Sequence, residues 1–119
     1  MEAAESALPT IAFSRTTTPG IASNIEAAIA DGQPSVLNRL TGRDLIRANR
    51  ADALSGLQEL DPSLSLDEYP FASTMQGGAG ARVASVPRIE QNIQGGQLSS
   101  FYQSNGIGHG DPFRVIVVP

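Results

Sequence analysis

Cysteine is absent from the 119 residues. That excludes a disulfide framework, a thiolate metal site and a cysteine nucleophile, so stability must come from packing. Lysine is absent too: the 8 basic residues are all arginine. Histidine occurs once, at His109, so a metal ion would have to rest on oxygen donors or on that imidazole. No apolar run approaches the roughly 20 residues of a membrane-spanning helix, and no membrane association is expected. The opening Met1-Glu2-Ala3-Ala4-Glu5 lacks the basic start and apolar stretch of a secretory signal. Three cases fit that opening: a cytosolic protein, a chain whose export signal has been removed, or a domain cut from a longer polypeptide.

What is present is an ordinary globular composition, 40% hydrophobic and 17% charged. A chain this short buries roughly two-thirds of its unfolded surface. One two-layer domain is therefore expected over residues 10–119, after a flexible lead-in at 1–9. The formal net charge of −4 disfavours a polyanionic partner on average, but the charges are segregated. Arg39, Arg43, Arg47 and Arg50 fall in one segment with Asp44 as its counter-charge, and Arg82 and Arg88 flank a later motif region. Glu2, Glu5, Glu26, Asp31, Asp61, Asp67 and Glu68 lie elsewhere. A basic stripe on an acidic average is compatible with a phosphodiester substrate.

Apolar periodicity outlines the elements. Residues 10–13 suit a short strand. Pro19 suits the first position of a helix with Thr18 as N-cap, and Ile21, Ile25, Ala28 and Ile29 recur at helical spacing until Asp31-Gly32 ends the run. Residues 34–40 read as a second strand with Val36 and Leu40 inward. Thr41 can cap a second helix, 43 to about 57, with Leu45, Ala48, Ala53 and Leu54 as its apolar stripe. Arg43, Arg47 and Arg50 would then project from one side, either tracking a phosphate backbone or forming a solvated face. Residues 66–72 and 82–86 read as strands joined by a glycine-rich loop at 76–81. That loop either cradles a phosphate or serves as a plain connector; it lacks the lysine of a P-loop. Pro87 opens a helical segment that Gly95-Gly96 interrupts, and 97–103 continues as a helix anchored by Leu98 and Phe101. Residues 106–110 form a turn around His109, and 113–118 form a final strand apolar enough to be central. This order predicts an α+β domain: a small mixed sheet with flanking helices, containing a strand-loop-strand-helix unit.

Candidate chemistry centres on that unit. Adjacent strand residues point to opposite faces, so at most one of Asp67 and Glu68 is expected in a given cleft. Glu90 begins the following helix, where a negative charge is favoured. If the unit folds back on itself, Asp67 and Glu90 bring oxygen donors to one site, as a hard divalent cation prefers, with Asn92 and Gln94 near the same helix end. Such carboxylates can equally be surface groups or caps. His109, between glycines on a turn, reads as a satisfied or solvent-exposed turn histidine rather than a general base.

The words of the sequence add to this. Asp67-Glu68-Tyr69-Pro70-Phe71-Ala72-Ser73-Thr74 and Gln76-Gly77-Gly78-Ala79-Gly80-Ala81, then Val86-Pro87, Glu90-Gln91-Asn92-Ile93-Gln94-Gly95-Gly96-Gln97-Leu98-Ser99-Ser100-Phe101-Tyr102 and Gly110-Asp111-Pro112-Phe113 resemble, in order and spacing, the NucA/NucB family of non-specific deoxyribonucleases. The likeness is strong from Asp67 to the C-terminus and weaker upstream, through the helix of Ile21 and Ile29 and the arginine-rich helix. The resemblance implies a ββα-metal-like catalytic unit around one divalent cation, Mg²⁺ or Mn²⁺, with no small-molecule cofactor. It implies Asp67 as general base, Glu90 as metal-binding carboxylate, and Glu68, Asn92 and Gln94 in support, Asn92 at the metal and Gln94 at the substrate. Arg82, Arg88, Arg43 and Arg47 would bind DNA. Unlike many members, this chain has no cysteine and no signal. That suits a toxin or effector domain of a longer secreted polypeptide, delivered into a target cell and neutralised in the producer by an immunity protein. Two other readings share the residues: a non-catalytic module that binds protein or nucleic acid, and a nuclease directed at RNA.

Overall fold

The computed structural model describes residues 8–119, so the expected lead-in lies, up to residue 7, outside the described residues. The apolar final strand, β5 (Pro112–Val118), is central as expected. Strand β1 (Thr10–Ser14) runs parallel to it and β2 (Val36–Asn38) antiparallel on its other edge. Alternation places Ile11 and Phe13 of β1 and Phe113 and Val115 of β5 on the buried face. In β2 the inward residue is Leu37, opposite Phe113, whereas Val36 and Leu40 are half-buried. A one-residue difference in register exchanges the faces of a strand, and the pairing with β5 sets it.

Helix α1 (Pro19–Ala30) begins at the proline and ends at Asp31-Gly32, where Gly32 has φ 103°, a left-handed value that favours glycine. Thr18 occupies the N-cap position, but its hydroxyl donates to Ser14 O rather than capping the helix. Ile21, Ala22, Ile25 and Ala28 are fully buried, and full burial of each isoleucine contributes about 1.5–3 kcal/mol. The helix touches β1, β5, the hairpin strands and the last helix, so it is the centre of the core.

Strand β3 (Leu64–Tyr69) pairs antiparallel with β4 (Arg82–Pro87), bringing Asp67 opposite Ala84 and Glu68 opposite Val83. It stops at Tyr69 rather than reaching Ala72, because Pro70 has no N–H for a ladder. Helix α3 (Arg88–Ser104) then runs unbroken through Gly95-Gly96, against the expected interruption. Two glycines cost roughly 1 kcal/mol each in a helix, less than is gained by burying Leu98 and Tyr102 on its inner face. Tyr102, with Leu98, is the buried anchor there, and Phe101 is only half-buried.

Helix α2 (Arg43–Ala53) is shorter than expected and starts after Gly42, φ 106°, rather than from Thr41. None of its residues is buried. Leu45 is 56% exposed and Ala48 is exposed, so the expected apolar stripe is not its inner face. Its half-buried residues are Ile46, Asn49 and Ala53, and Asn49 Nδ2 clamps it by donating to Ala72 O and Thr74 O, both at 3.1 Å. The described residues thus form an α+β domain of three helices, a mixed three-stranded sheet and a two-stranded hairpin.

Candidate active site

The last residues of β3, Asp67, Glu68 and Tyr69, are all buried. Beside them opens a cleft of about 360 Å³. Asp67, Glu68 and residues 71–73 form one wall, and α3 forms the other, from Gln91 and Gln94 through Leu98 to Tyr102 and Gln103. Arg39, just past β2, and Arg50 of α2 complete it. Strand alternation does not separate the two carboxylates, which both reach the cleft. Among the described residues β3 pairs only with β4, and a cleft along its other edge is reached from either face.

Burial perturbs both carboxylates, since leaving water penalises the charged form. Asp67 is 1% exposed; burial chiefly pushes its pKa up to about 7, and the charges of Glu68 and, more weakly, Glu90 act in the same direction. Asn24 of α1 opposes them, its Nδ2 donating to Asp67 Oδ2 at 3.0 Å and to Asp67 O at 3.3 Å. Gln94 also favours the ionised form, although its Nε2 falls short of a well-formed hydrogen bond and has no partner. Burial raises the pKa of Glu68 too, offset by Arg50, whose Nε lies 3.6 Å from Glu68 Oε1. A carboxylate titrating near neutrality is suited to accept a proton.

Of the residues singled out in the sequence, the cleft unites Asp67, Glu68 and Gln94. Glu90 is buried but outside the lining, turned toward α1. Its Oε1 accepts the N–H of Gly20 at 2.8 Å and of Ile21 at 3.1 Å. It is a cap lent by another helix, at the end where a negative charge is favoured. Asn92 is exposed, and two residues along a helix turn it about 200° from Glu90. Arg82 lies 3.6 Å from Asp31, and Arg88 donates to Pro62 O and Leu64 O, bracing the approach to β3. Arg43 and Arg47 are exposed on α2, outside the lining.

The glycine-rich stretch is a folded connector: Gly77 packs where a Cβ would lie 2.3 Å from Phe71 O, and the side chains of Gln76 and Asn38 bond to each other. His109 is exposed, with Nδ1 accepting the Thr41 N–H at 3.1 Å. Asn24, Arg39 and Gln91 complete the site without having been assigned to it from sequence, and Arg50 joins it from the arginine stripe read as tracking a phosphate backbone or forming a solvated face. Asn24 carried a signal that went unread, as a polar residue within the apolar stripe, three after Ile21 and four before Ala28.

Among the described residues no group of three or more His, Cys, Asp or Glu is arranged to hold a metal. Oxygen atoms of the kind a hard cation takes do belong to residues of the cleft. Gln91, which lines the cleft with Glu68 and Asp67, spends its Nε2 on Leu66 O at 3.0 Å, and its Oε1 is buried without a partner. Mg²⁺ is commonly held by one or two carboxylates and keeps several waters, so these residues fit such an ion.

Two buried carboxylates and two arginines thus share one cleft of an α+β domain, the kind of constellation that clusters at functional sites. The domain's particular family is also clear. Residues 28–116, about three-quarters of the chain, match the family model of deoxyribonuclease NucA/NucB, and the chain belongs to that family. The resemblance read in the sequence is thereby borne out, and membership implies a DNA hydrolase. No curated protein matches the chain.

Proposed function

We propose that the chain hydrolyses DNA phosphodiester bonds in the cleft beside β3, with little regard for base sequence. The observation that carries this reading is the burial of Asp67 and Glu68 in one arginine-walled cleft of a NucA/NucB family member. Asp67 is the general base and takes the proton of the attacking water. Asn24 holds its carboxylate in place. Glu68 and Gln91 Oε1 would hold one Mg²⁺ or Mn²⁺, which when bound supplies Lewis-acid neutralisation of charge on the phosphate. Gln94 and Arg50 face the substrate, and Arg43 and Arg47 of α2 meet the DNA backbone, where contacts position without reading sequence. Glu90 serves as a positioning residue: by capping α1 it fixes the helix that carries Asn24. Arg82 and Arg88 act through the frame of the hairpin.

Unrestricted DNA hydrolysis endangers the cell that makes the enzyme, so we place its work outside that cell. It is secreted or delivered as a toxin or effector domain and held in check at home by an immunity protein. Co-purification with a small protein encoded beside it supports this; expression in a bacterium with neither growth defect nor DNA damage counts against it.

Digestion of supercoiled plasmid tests the chemistry. Cleavage is expected with Mg²⁺ or Mn²⁺ and is lost with EDTA and in Asp67→Ala. An inert wild type under all conditions would leave only the binding-module reading, and RNA cut in preference to DNA would reassign the substrate.

A further inference from the structure

Arg39 is anchored more firmly than a surface arginine needs. Its N–H donates to Asp111 O at 3.0 Å, its carbonyl accepts from Gly110 N at 2.7 Å, and it bridges Thr74. Its Nη1 donates to Ile107 O at 2.6 Å, and the guanidinium carbon sits 4.4 Å from the centroid of the Tyr102 ring. Tyr102 is 5% exposed and is itself fixed, with its hydroxyl 3.0 Å from Ser73 Oγ and its ring edge-on to Phe113 at 5.4 Å. Among the described residues no carboxylate forms an ion pair with Arg39. A half-buried cation, held by one carbonyl and an aromatic face, therefore lines the cleft with charge to spare. The guanidinium fork carries five N–H donors, more than Ile107 O consumes.

This group stands apart from the carboxylates. Gln94 marks their end of α3 and Tyr102 the other, and those eight residues span about 12 Å of helix axis. Groups about two helical turns apart call for two phosphates of one strand rather than a single one. We infer that Arg39, Tyr102 and Ser73 form a second anion subsite in the cleft, which takes a phosphate flanking the scissile one. The inference rests on the nuclease reading of the cleft. The chemistry suits each residue: the planar fork matches phosphate oxygens, the ring face orients the guanidinium, and the Ser73 hydroxyl adds a short polar contact beside it. Substrate is then gripped at two points, which favours bonds inside a strand over small diesters with a single phosphate.

Competition against plasmid cleavage tests this with three thymidine dinucleotides, bearing no terminal phosphate, a 5′-phosphate or a 3′-phosphate. With wild type, one of the two phosphorylated dinucleotides should inhibit roughly tenfold more strongly than the unphosphorylated one, the weight of one charge-assisted contact. In Arg39→Gln that ratio should fall close to one. In Arg39→Lys, which keeps the charge without the fork, it should lie between. Equal inhibition by all three on wild type overturns the subsite without touching the nuclease reading, and so does an undiminished ratio in both variants. A strut that merely braced the turn at 107–111 would change melting temperature and leave the ratio alone. Failure of wild type to cut plasmid at all would overturn the nuclease reading itself, and the subsite with it.

Discussion

A carboxyl that titrates at about 7 instead of 3.8 binds a proton more tightly in the folded chain than in the unfolded one. Between those two pH values the folded state holds more protons, so folding stability falls as pH rises. The penalty is absent below about pH 4 and complete above pH 7, growing by roughly 1.4 kcal/mol for each pH step of one between them. Asp67→Asn removes the titration while keeping an acceptor for Asn24. In EDTA, thermal melts should show Asp67→Asn close to wild type at pH 4 and more stable by a few kcal/mol at pH 8, although it cuts no DNA. A wild type whose stability does not fall between pH 4 and 7 relative to the variant would refute the burial argument. Glu90 poses the complementary question. Two helix N–H groups converge on its Oε1, and leaving buried donors unpaired costs about 1–3 kcal/mol. Glu90→Ala should therefore melt lower by that amount, whereas Glu90→Gln keeps an acceptor oxygen and should retain most of the stability and much of the activity. Loss of cleavage in a fully folded Glu90→Gln would instead make Glu90 a metal ligand.

At the scale of elements, packing overrides local preference where the two conflict. Gly96 of α3 faces open space, with nothing within 4 Å of an added Cβ. Gly96→Ala should therefore stabilise the helix by about 0.5–1 kcal/mol, a rise of roughly 2–6 °C in melting temperature. Gly77 is the opposite case: a Cβ would lie 2.3 Å from Phe71 O, and Gly77→Ala should cost about 1–3 kcal/mol or more. If both moved the melting temperature in the same direction, one of these packing accounts would be wrong. The same contrast explains what is legible in the amino-acid order alone. The stripe of Ile21, Ile25 and Ala28 and the apolar run of β5 are local patterns, and both elements form where the patterns put them. Helix α2 also starts where the pattern puts it, at Arg43, but its inner face is not legible, because a polar clamp, Asn49, holds it to the body rather than an apolar stripe. Asp67, Glu68 and Gln94 are legible through motif words. The contacts of Glu90 with Gly20 and of Arg39 with Ile107 join residues about 70 positions apart, and no periodicity encodes them.

The molecule as a whole carries a net charge of −4, which repels DNA at long range, so attraction must come from a local surface. Arg15, Arg50 and Arg82 each face a carboxylate. Arg43 and Arg47, one turn apart on the exposed side of α2, form no ion pair among the described residues. Arg50, on the same helix, reaches the cleft wall, so on the proposed function DNA lying along α2 would be led to Asp67. Each phosphate neutralised by an arginine releases condensed counterions and steepens the salt dependence of binding by about 0.9 in log–log slope. The Arg43→Ala/Arg47→Ala double variant should therefore bind duplex DNA more weakly at low salt, with a slope shallower by roughly 1.5–2. Its melting temperature should hardly move, since surface substitutions of this kind usually change stability by less than about 0.5 kcal/mol. Its rate at saturating DNA should stay near that of wild type, because neither residue lines the cleft. Titrations of KM against sodium chloride decide the matter: an unchanged slope means that α2 is a solvated face and that DNA enters from elsewhere.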